Sequence, residues 1–329
     1  MSSNTGKSSK EPIFKTNWCD IPAEIKLKCI RKLEFKERWS LRDTAKAERS
    51  LVDSQKIKFS SGYLMSNNYS CLSVTLVSEN GNIAFSEYLK NEKNVFKLLK
   101  FIWKVGIFEN LKISRGYIIF DDVHDSDDLF TENAELLSYT EKSTAKNIDL
   151  EALNKENVIF ILQKLENGVE TIKLGRKLNG PLDDIISNSH IQNARYWHIQ
   201  KLRDRTDLIF KIAQMWIDKN AEIGSTFQVC FDYYKTRSEF AKHFSDRIVS
   251  VTHERVRIRT NSPDRHILLE HGIIDHCHIS QNFRLMVISA EMKESEYEKN
   301  CEKWIYYLNS VPYKEGDSDA ESDYYYDDY

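Results

Sequence analysis

Trp18-Cys19-Asp20-Ile21-Pro22-Ala23-Glu24-Ile25-Lys26-Leu27-Lys28-Cys29-Ile30-Arg31-Lys32-Leu33 decides how the start of this chain folds. It reads as an apolar lead-in, a proline that opens a helix, and a short amphipathic stretch. Proline suits the first helical position because its ring fixes φ and its missing N–H leaves no donor unsatisfied there. Ile25, Cys29 and Leu33 recur at helical spacing on one face, with Ile30 beside them. A second helical pattern follows through Leu41, Ala45, Leu51 and Val52. Two or three helices of this length bury too little surface to be stable alone. Their apolar faces are expected to find a partner.

Working outward, Trp39-Ser40-Leu41-Arg42 and Glu48-Arg49-Ser50-Leu51-Val52-Asp53-Ser54 complete the region. Together with Ile21-Pro22-Ala23-Glu24-Ile25 and with Cys29, Ile30 and Leu33, these residues resemble an F-box. That family opens on Leu-Pro-x-Glu, continues with a hydrophobic helix, and ends about forty residues on in a Leu-Arg-rich second half. The likeness is to the nematode class of F-box proteins with a family-specific C-terminal substrate-binding module. Ala45 to Ser54 and Arg257-Ile258-Arg259-Thr260-Asn261 carry the class resemblance. Ile21 replaces the usual Leu, and Glu48-Arg49 stands where a tryptophan is common. The resemblance implies a three-helix F-box over 16–57 that docks a Skp-family adaptor and, through it, a cullin–RING ubiquitin ligase. The docking residues it implies are Ile21, Pro22, Ile25, Ile30, Leu33 and Leu41.

The 329 residues suggest about two domains, and 12% aromatic content is ample for a core. A formal net charge of −3 hides an asymmetry. The first sixty residues are rich in Lys and Arg, whereas Glu315 to Tyr329 hold seven acids and no base. Residues 1–15 read as a disordered leader and 313–329 as a disordered acidic, Tyr-rich tail, with Ser318 and Ser322 set among acids. Cys19, Cys29, Cys71, Cys230, Cys277 and Cys301 show no paired spacing, which suits reduced thiols in the cytoplasm and/or nucleus. No apolar run approaches the length of a membrane span, and no signal-peptide core opens the chain.

Residues 58–312 read as one strand–helix domain. Leu72, Val74 and Leu76 alternate with Ser73 and Thr75, and Asn80-Gly81 precedes Ile83, Ala84 and Phe85, a hairpin signal. A helix follows through Val95, Phe96, Leu99, Ile102 and Trp103, ended by Gly106. A loose pattern then recurs as Phe108/Leu111/Ile113, Ala145/Ile148/Leu150, Val169/Ile172/Leu174, Ala194/Trp197/Ile199 and Gly224/Phe227/Val229. From Ile148 to Ile172, Trp197 and Phe227 the steps are 24, 25 and 30 residues, with helical patterns between. A strand and a helix at that period predict an irregular leucine-rich-repeat-like domain, within an α+β or α/β class; an ordinary alternating α/β domain is the alternative. Asp121 to Asp128 is expected to be a loop. Val256, Ile258, Leu285 and Val287 read as strands that cap the far end of the sheet, flanking His266 to Glu270.

No Gly-rich phosphate cradle, Gly-x-Ser-x-Gly or His-Glu-x-x-His is present, and eleven glycines leave little room for a backbone-lined nucleotide site. His266, His271, His276, Cys277 and His278 are the densest candidate metal ligands, but their spacing fits no zinc module. Surface histidines are the simpler reading, and no cofactor is expected. Asp121-Asp122, Asp127-Asp128 and Asp183-Asp184 sit where acids solvate loops or open helices. Cys29 falls on an apolar face and is expected to pack. Arg195, His198, Lys201, Arg203 and Arg205 with Tyr196 and Trp197 have the basic-aromatic look of a nucleic-acid surface, though a nucleic-acid partner is not the reading favoured. Arg255, Arg257 and Arg259 alternate with Val256 and Ile258, so a strand would present three arginines on one face, open to an acidic partner or to the chain's own tail. The leading expectation is a non-catalytic adapter that joins an unknown protein substrate to a ligase. A scaffold with an F-box-like helical pair and no ligase role is the alternative.

Overall fold

The computed structural model describes residues 17–66, 72–89, 92–115, 139–175, 178, 181–202, 207–231, 236–273 and 281–298. The expected leader, the loop at Asp121 to Asp128, the tail and the triplet His276-Cys277-His278 lie outside them. The chain divides into two compact units, Met1–Lys146 with Gln163–Asn167, and Asn147–Leu162 with Gly168–Tyr329.

The first unit opens with a 3₁₀ turn, Trp18–Asp20, capped by the Asn17 side chain, which accepts from the Cys19 N–H at 3.1 Å. Helix α1 is Ala23–Ile30. Pro22 stands one position earlier than expected, at the cap; its carbonyl accepts from the N–H groups of Ile25 and Lys26, both at 3.0 Å. The stretch from Leu41 to Val52 divides into α2 (Phe35–Arg42) and α3 (Lys46–Asp53). Helix α2 starts in a reciprocal capping box between Glu34 and Glu37. Three helices thus stand where the F-box resemblance implied them.

Strands β1 (Ile57–Ser66), β2 (Leu72–Ser78) and β3 (Ile83–Leu89), helix α4 (Glu92–Val105) and strand β4 (Gly106–Arg115) follow. Their order in the sheet is β3-β2-β1-β4, with β1 and β4 parallel and the other pairs antiparallel. The Asn80-Gly81 hairpin is present, with Gly81 at φ +84°. Gly106 was expected to end a helix, and it does so by starting a strand at once. A Cβ there would lie 2.7 Å from the Ile102 carbonyl oxygen and 2.5 Å from the Phe108 ring, so only glycine fits.

The three helices and this sheet share one core. Phe35 of α2 is buried and meets Phe59 of β1, Phe85 of β3 and Phe101 of α4 at centroid distances of 5.7, 5.1 and 5.5 Å. An aromatic cluster of this kind carries large apolar area and edge-to-face attraction at once. It reaches across residue 57, so the helices are anchored by residues far downstream of them.

In the second unit, β5 (Thr144–Glu151, from Asn147 on), β6 (Thr171–Leu174), β7 (Tyr196–Leu202) and β8 (Thr226–Phe231) pair in parallel, in that order. Helices α5 (Lys155–Gln163), α6 (Asp183–Ile186), α7 (Ser189–Asn193) and α8 (Asp207–Lys219) fill the connections. The repeat holds in register. Ile148 pairs with Ile172, Ile172 with Trp197, and Trp197 with Phe227; the row Leu150, Leu174, Ile199 and Val229 does the same. All of these residues are buried. On that face Val158, Ile161 and Leu162 of α5 and Ile209, Ile212 and Trp216 of α8 supply the matching apolar layer.

The far end is capped as expected. After helix α9 (Thr236–His243), strands β9 (Ile248–Val251), β10 (Arg255–Arg259), β11 (Arg265–Ile273) and β12 (Gln281–Ser289) extend the sheet in the order β8-β12-β11-β10-β9, all antiparallel. The segment His266 to Glu270, expected to be flanked by strands, is itself the middle of β11.

Candidate functional site

The N-terminal helices carry the strongest sequence signal, and what they turn outward defines the site. Ile25 lies on α1 with 45% of its surface exposed. Pro22 and Cys29 are exposed beside it, while Ile21, Leu33 and Leu41 are half-buried. Positions 22, 25 and 29 fall on one helical stripe. Cys29 therefore belongs to an apolar strip that faces solvent, and the expectation that it packs inside is corrected.

Ile30 is corrected as well. It is fully enclosed, at 0% exposure, among the largest sealed side chains of the molecule. One step beyond Cys29, it turns α1 toward the core that Phe35 and Val52 also fill. It supports the outward strip from beneath and is not itself on the surface.

Polar contacts hold the strip in place, and sequence reasoning did not find them. Glu48 of α3 accepts from the Trp18 indole N–H at 3.2 Å and from the Lys26 ammonium at 3.5 Å, all through Oε1. Lys26 also lies 5.5 Å from the centre of the Trp18 ring. The 3₁₀ turn, α1 and α3 thus meet at one carboxylate. Its own backbone N–H, in the first turn of α3, holds the Glu48 carboxyl below the usual carboxylate range; partial burial opposes this, and Trp18 and Lys26 add to it. Glu48, with Arg49, occupies the position where the resemblance would have a tryptophan. The only available signal was a Lys on the inward side of α1, a residue that such a position holds only when paired.

Two arginines complete the frame. Arg38 is buried and donates to the carbonyls of Leu33 at 2.8 Å and Arg31 at 2.9 Å, closing the end of α1. Burial pulls its guanidinium below the usual value. Arg42 donates to both oxygens of Asp53, at 2.6 and 3.3 Å, and lies over the Trp39 and Phe101 rings, tying α2 to α3. Leu33 and Leu41 are therefore carried on elements with fixed relative positions.

The other candidates come out differently. Arg255 and Arg257 do not form an open basic face. Arg257 is buried: its Nε donates to Nδ1 of His266 at 2.8 Å, Nη1 to the Met292 carbonyl and the Tyr297 hydroxyl, and Nη2 to the carbonyls of Ser289 and Ala290. Arg255 donates to Glu270 at 2.9 Å and to the Glu298 carbonyl at 3.0 Å. The chain's own residues 289–298 occupy the arginine face; Arg259 alone of the three is exposed. Strict alternation gave the face correctly but could not show what covers it.

His266 is thus a hydrogen-bond acceptor for Arg257, and burial, then Arg257 and Arg259, hold its imidazolium form below the ordinary range. His271 stacks on Phe283 at a centroid distance of 5.0 Å. Among the described residues no three His, Cys, Asp or Glu side chains gather around a common point as metal ligands. Asp183 and Asp184 take ion pairs from Lys211 and Lys155. Trp197 is sealed in the apolar layer, which takes one of the two aromatics from the basic-aromatic surface; Arg203 and Arg205 lie outside the described residues. Among the described residues no helix is long and apolar enough to cross a membrane.

Compared with known protein families, residues 18–60 match the model of the F-box domain. No curated protein and no solved structure gives a match.

Proposed function

We propose that this chain is the substrate-recognition adapter of an SCF-type, cullin–RING ubiquitin ligase. Its F-box domain docks a Skp-family adaptor, and the strand–helix region over 58–312 captures a target protein. F-box domains bind such adaptors, and F-box proteins are generally non-catalytic. The observation that carries the reading is the outward strip of Pro22, Ile25 and Cys29, with Ile21, Leu33 and Leu41 half-covered at its edges. An amphipathic helix with unspent apolar anchors is suited to lie in a partner's groove, and most of the energy of such docking comes from a few anchors. Catalysis is by proximity: lysines of the captured protein are brought to a ubiquitin-loaded enzyme supplied by the partners.

We also infer that the C-terminal region is the family-specific module of the nematode class, built on a leucine-rich-repeat-like strand–helix array. The in-register rows from β5 to β8 support this. The protein would act in the cytoplasm and/or nucleus, where its ligase partners and reducing conditions coexist. The test is co-purification of the full chain with a Skp-family adaptor. Replacing Pro22 and Ile25 together by Ala is expected to abolish it. Unchanged co-purification removes the reading.

A further inference from the structure

The three arginines of β10 differ in how their charge is met. Arg255 has a counter-ion in Glu270, which Arg284 also holds. Arg257 has none. It is buried, and its acceptors are Nδ1 of His266, the Tyr297 hydroxyl and the carbonyls of Ser289, Ala290 and Met292, all of them neutral. Arg259, two residues on and on the same face, is exposed and has no hydrogen bond or ion pair among the described residues. Asp264, just before β11, is engaged by Ser262 and Arg265. Glu291, Glu294 and Glu296 of the covering segment are exposed, and none of them forms an ion pair with Arg257 or Arg259. Two positive charges thus sit side by side without a counter-ion. Burying a cation against neutral acceptors alone is costly, and an anion brought close offsets part of that cost.

An anion would find donors here. Arg259 stands directly opposite His266 in the pairing of β10 with β11, where side chains are in reach of each other. His266 accepts from Arg257 through Nδ1, so its neutral ring carries the hydrogen on Nε2. The ring is half-buried. The free guanidinium and this N–H lie at the open border of the arginine face, with the charge of Arg257 behind them. The charges that act on His266 are those of Arg257 and Arg259, and no acid is among them.

The chain itself carries a segment of matching charge. Glu315 to Tyr329 hold seven acids and no base. The described chain leaves this face at Glu298, whose carbonyl accepts from Arg255 on the same strand as Arg259. Four residues of strand separate the two arginines, about 13 Å. The seventeen residues from Glu298 to Glu315 can span at most about 60 Å, so the acidic segment reaches Arg259 with length to spare. A tether of this kind sets an effective concentration on the order of millimolar, which a free acidic peptide must exceed to compete. We propose that the acidic segment Glu315 to Tyr329 folds back and docks its carboxylates on Arg259 and His266, completing the cover that residues 289–298 begin. The contact is intramolecular and does not depend on the adapter reading.

The test compares the full chain with a variant in which all seven acids of Glu315 to Tyr329 are exchanged for Asn or Gln, and follows the His266 imidazole by NMR. At low salt the titration midpoint of His266 should be about half a pH unit higher in wild type, because a nearby carboxylate favours the charged ring. The gap should close at about 1 M salt. Arg259→Gln should reduce it about twofold or more, with thermal unfolding unchanged. A synthetic peptide of residues 315–329 should bind the neutralised variant saturably and shift its His266 resonances. Wild type should bind that peptide about tenfold more weakly, because its own segment holds the site. Equal midpoints in the two chains, a gap that Arg259→Gln leaves unchanged, or equal peptide affinity in wild type and the neutralised variant would each overturn the proposal.

Discussion

Ile25 and Ile30 lie on the same helix, five residues apart, one exposed and the other sealed, and under the proposed docking they have opposite duties. Replacing Ile30, which is 0% exposed, by Ala removes methylenes from a sealed site and costs about 2–5 kcal/mol of folding stability. Replacing Ile25, already 45% exposed, should cost the fold no more than about 1 kcal/mol. Docking reverses the order. Full burial of an isoleucine is worth about 1.5–3 kcal/mol, so covering the exposed part of Ile25 is worth about 1 kcal/mol, or about fivefold in Kd. Ile25→Asp should lose a further tenfold or more, because an unpaired carboxylate would be desolvated in the groove. The assay is calorimetric titration of a Skp-family adaptor into each variant, with thermal unfolding measured on the same samples. The expected pattern is a stable, weakly binding Ile25 series and an unstable Ile30→Ala whose folded fraction binds like wild type. Wild-type affinity in Ile25→Asp, or a greater loss of affinity in folded Ile30→Ala than in Ile25→Ala, refutes the assignment.

Phe35→Ala should cost about 3–5 kcal/mol, because the ring is buried against Phe59, Phe85 and Phe101; hydrogen exchange should show α1–α3 and β1–β3 losing protection together, and a melting of the helices alone would contradict the shared core. The Glu48 carboxyl is held below its ordinary value, so its contribution is present at neutral pH and is lost as pH falls through the folded-state value; acid titration of stability should show Glu48→Gln with a flatter acid limb than wild type. Arg257→Met removes the donors to Ser289, Ala290, Met292 and Tyr297 and should cost about 3 kcal/mol or more; the amides of 290–298 should exchange faster before the rest of the second unit does.

The periodic features were legible because they are one-dimensional. Asn80-Gly81 demands a backbone that few other pairs tolerate, and the steps between Ile148, Ile172, Trp197 and Phe227 are the strand–helix length needed to bring each strand beside the last. Those residues do meet in register. What escaped depends on neighbours distant in sequence. Trp18, Lys26 and Glu48 share one oxygen across thirty positions, and nothing local in any of them announces the others. Arg257 reads as an exposed strand arginine until the chain returns forty residues later to cover it with Tyr297. Helical spacing placed Ile25, Cys29 and Ile30 near one another but left open where the face divides, because the dividing line depends on the aromatic cluster that Phe35 enters.

That division bears on how docking and folding are coupled. A docking helix held only by its own neighbours would be free to fray between encounters, and a partner would have to order it at an entropic cost. Here α1 is fixed at its start by Glu48, at its end by Arg38, and beneath by Ile30, while the adjoining α2 is pinned by Phe35 to strands and a helix more than twenty residues downstream. The strip is therefore presented in advance, and under the proposed docking little of the energy of covering Ile25 would be spent on arranging it. The same rigidity makes the F-box segment dependent on β1, β3 and α4: a fragment ending near residue 57 lacks Phe59, Phe85 and Phe101, the three rings against which Phe35 is buried. Weak adaptor binding by such a fragment would follow from the missing core and would leave the docking face untested, which is why the Ile25 and Ile30 variants belong in the full chain.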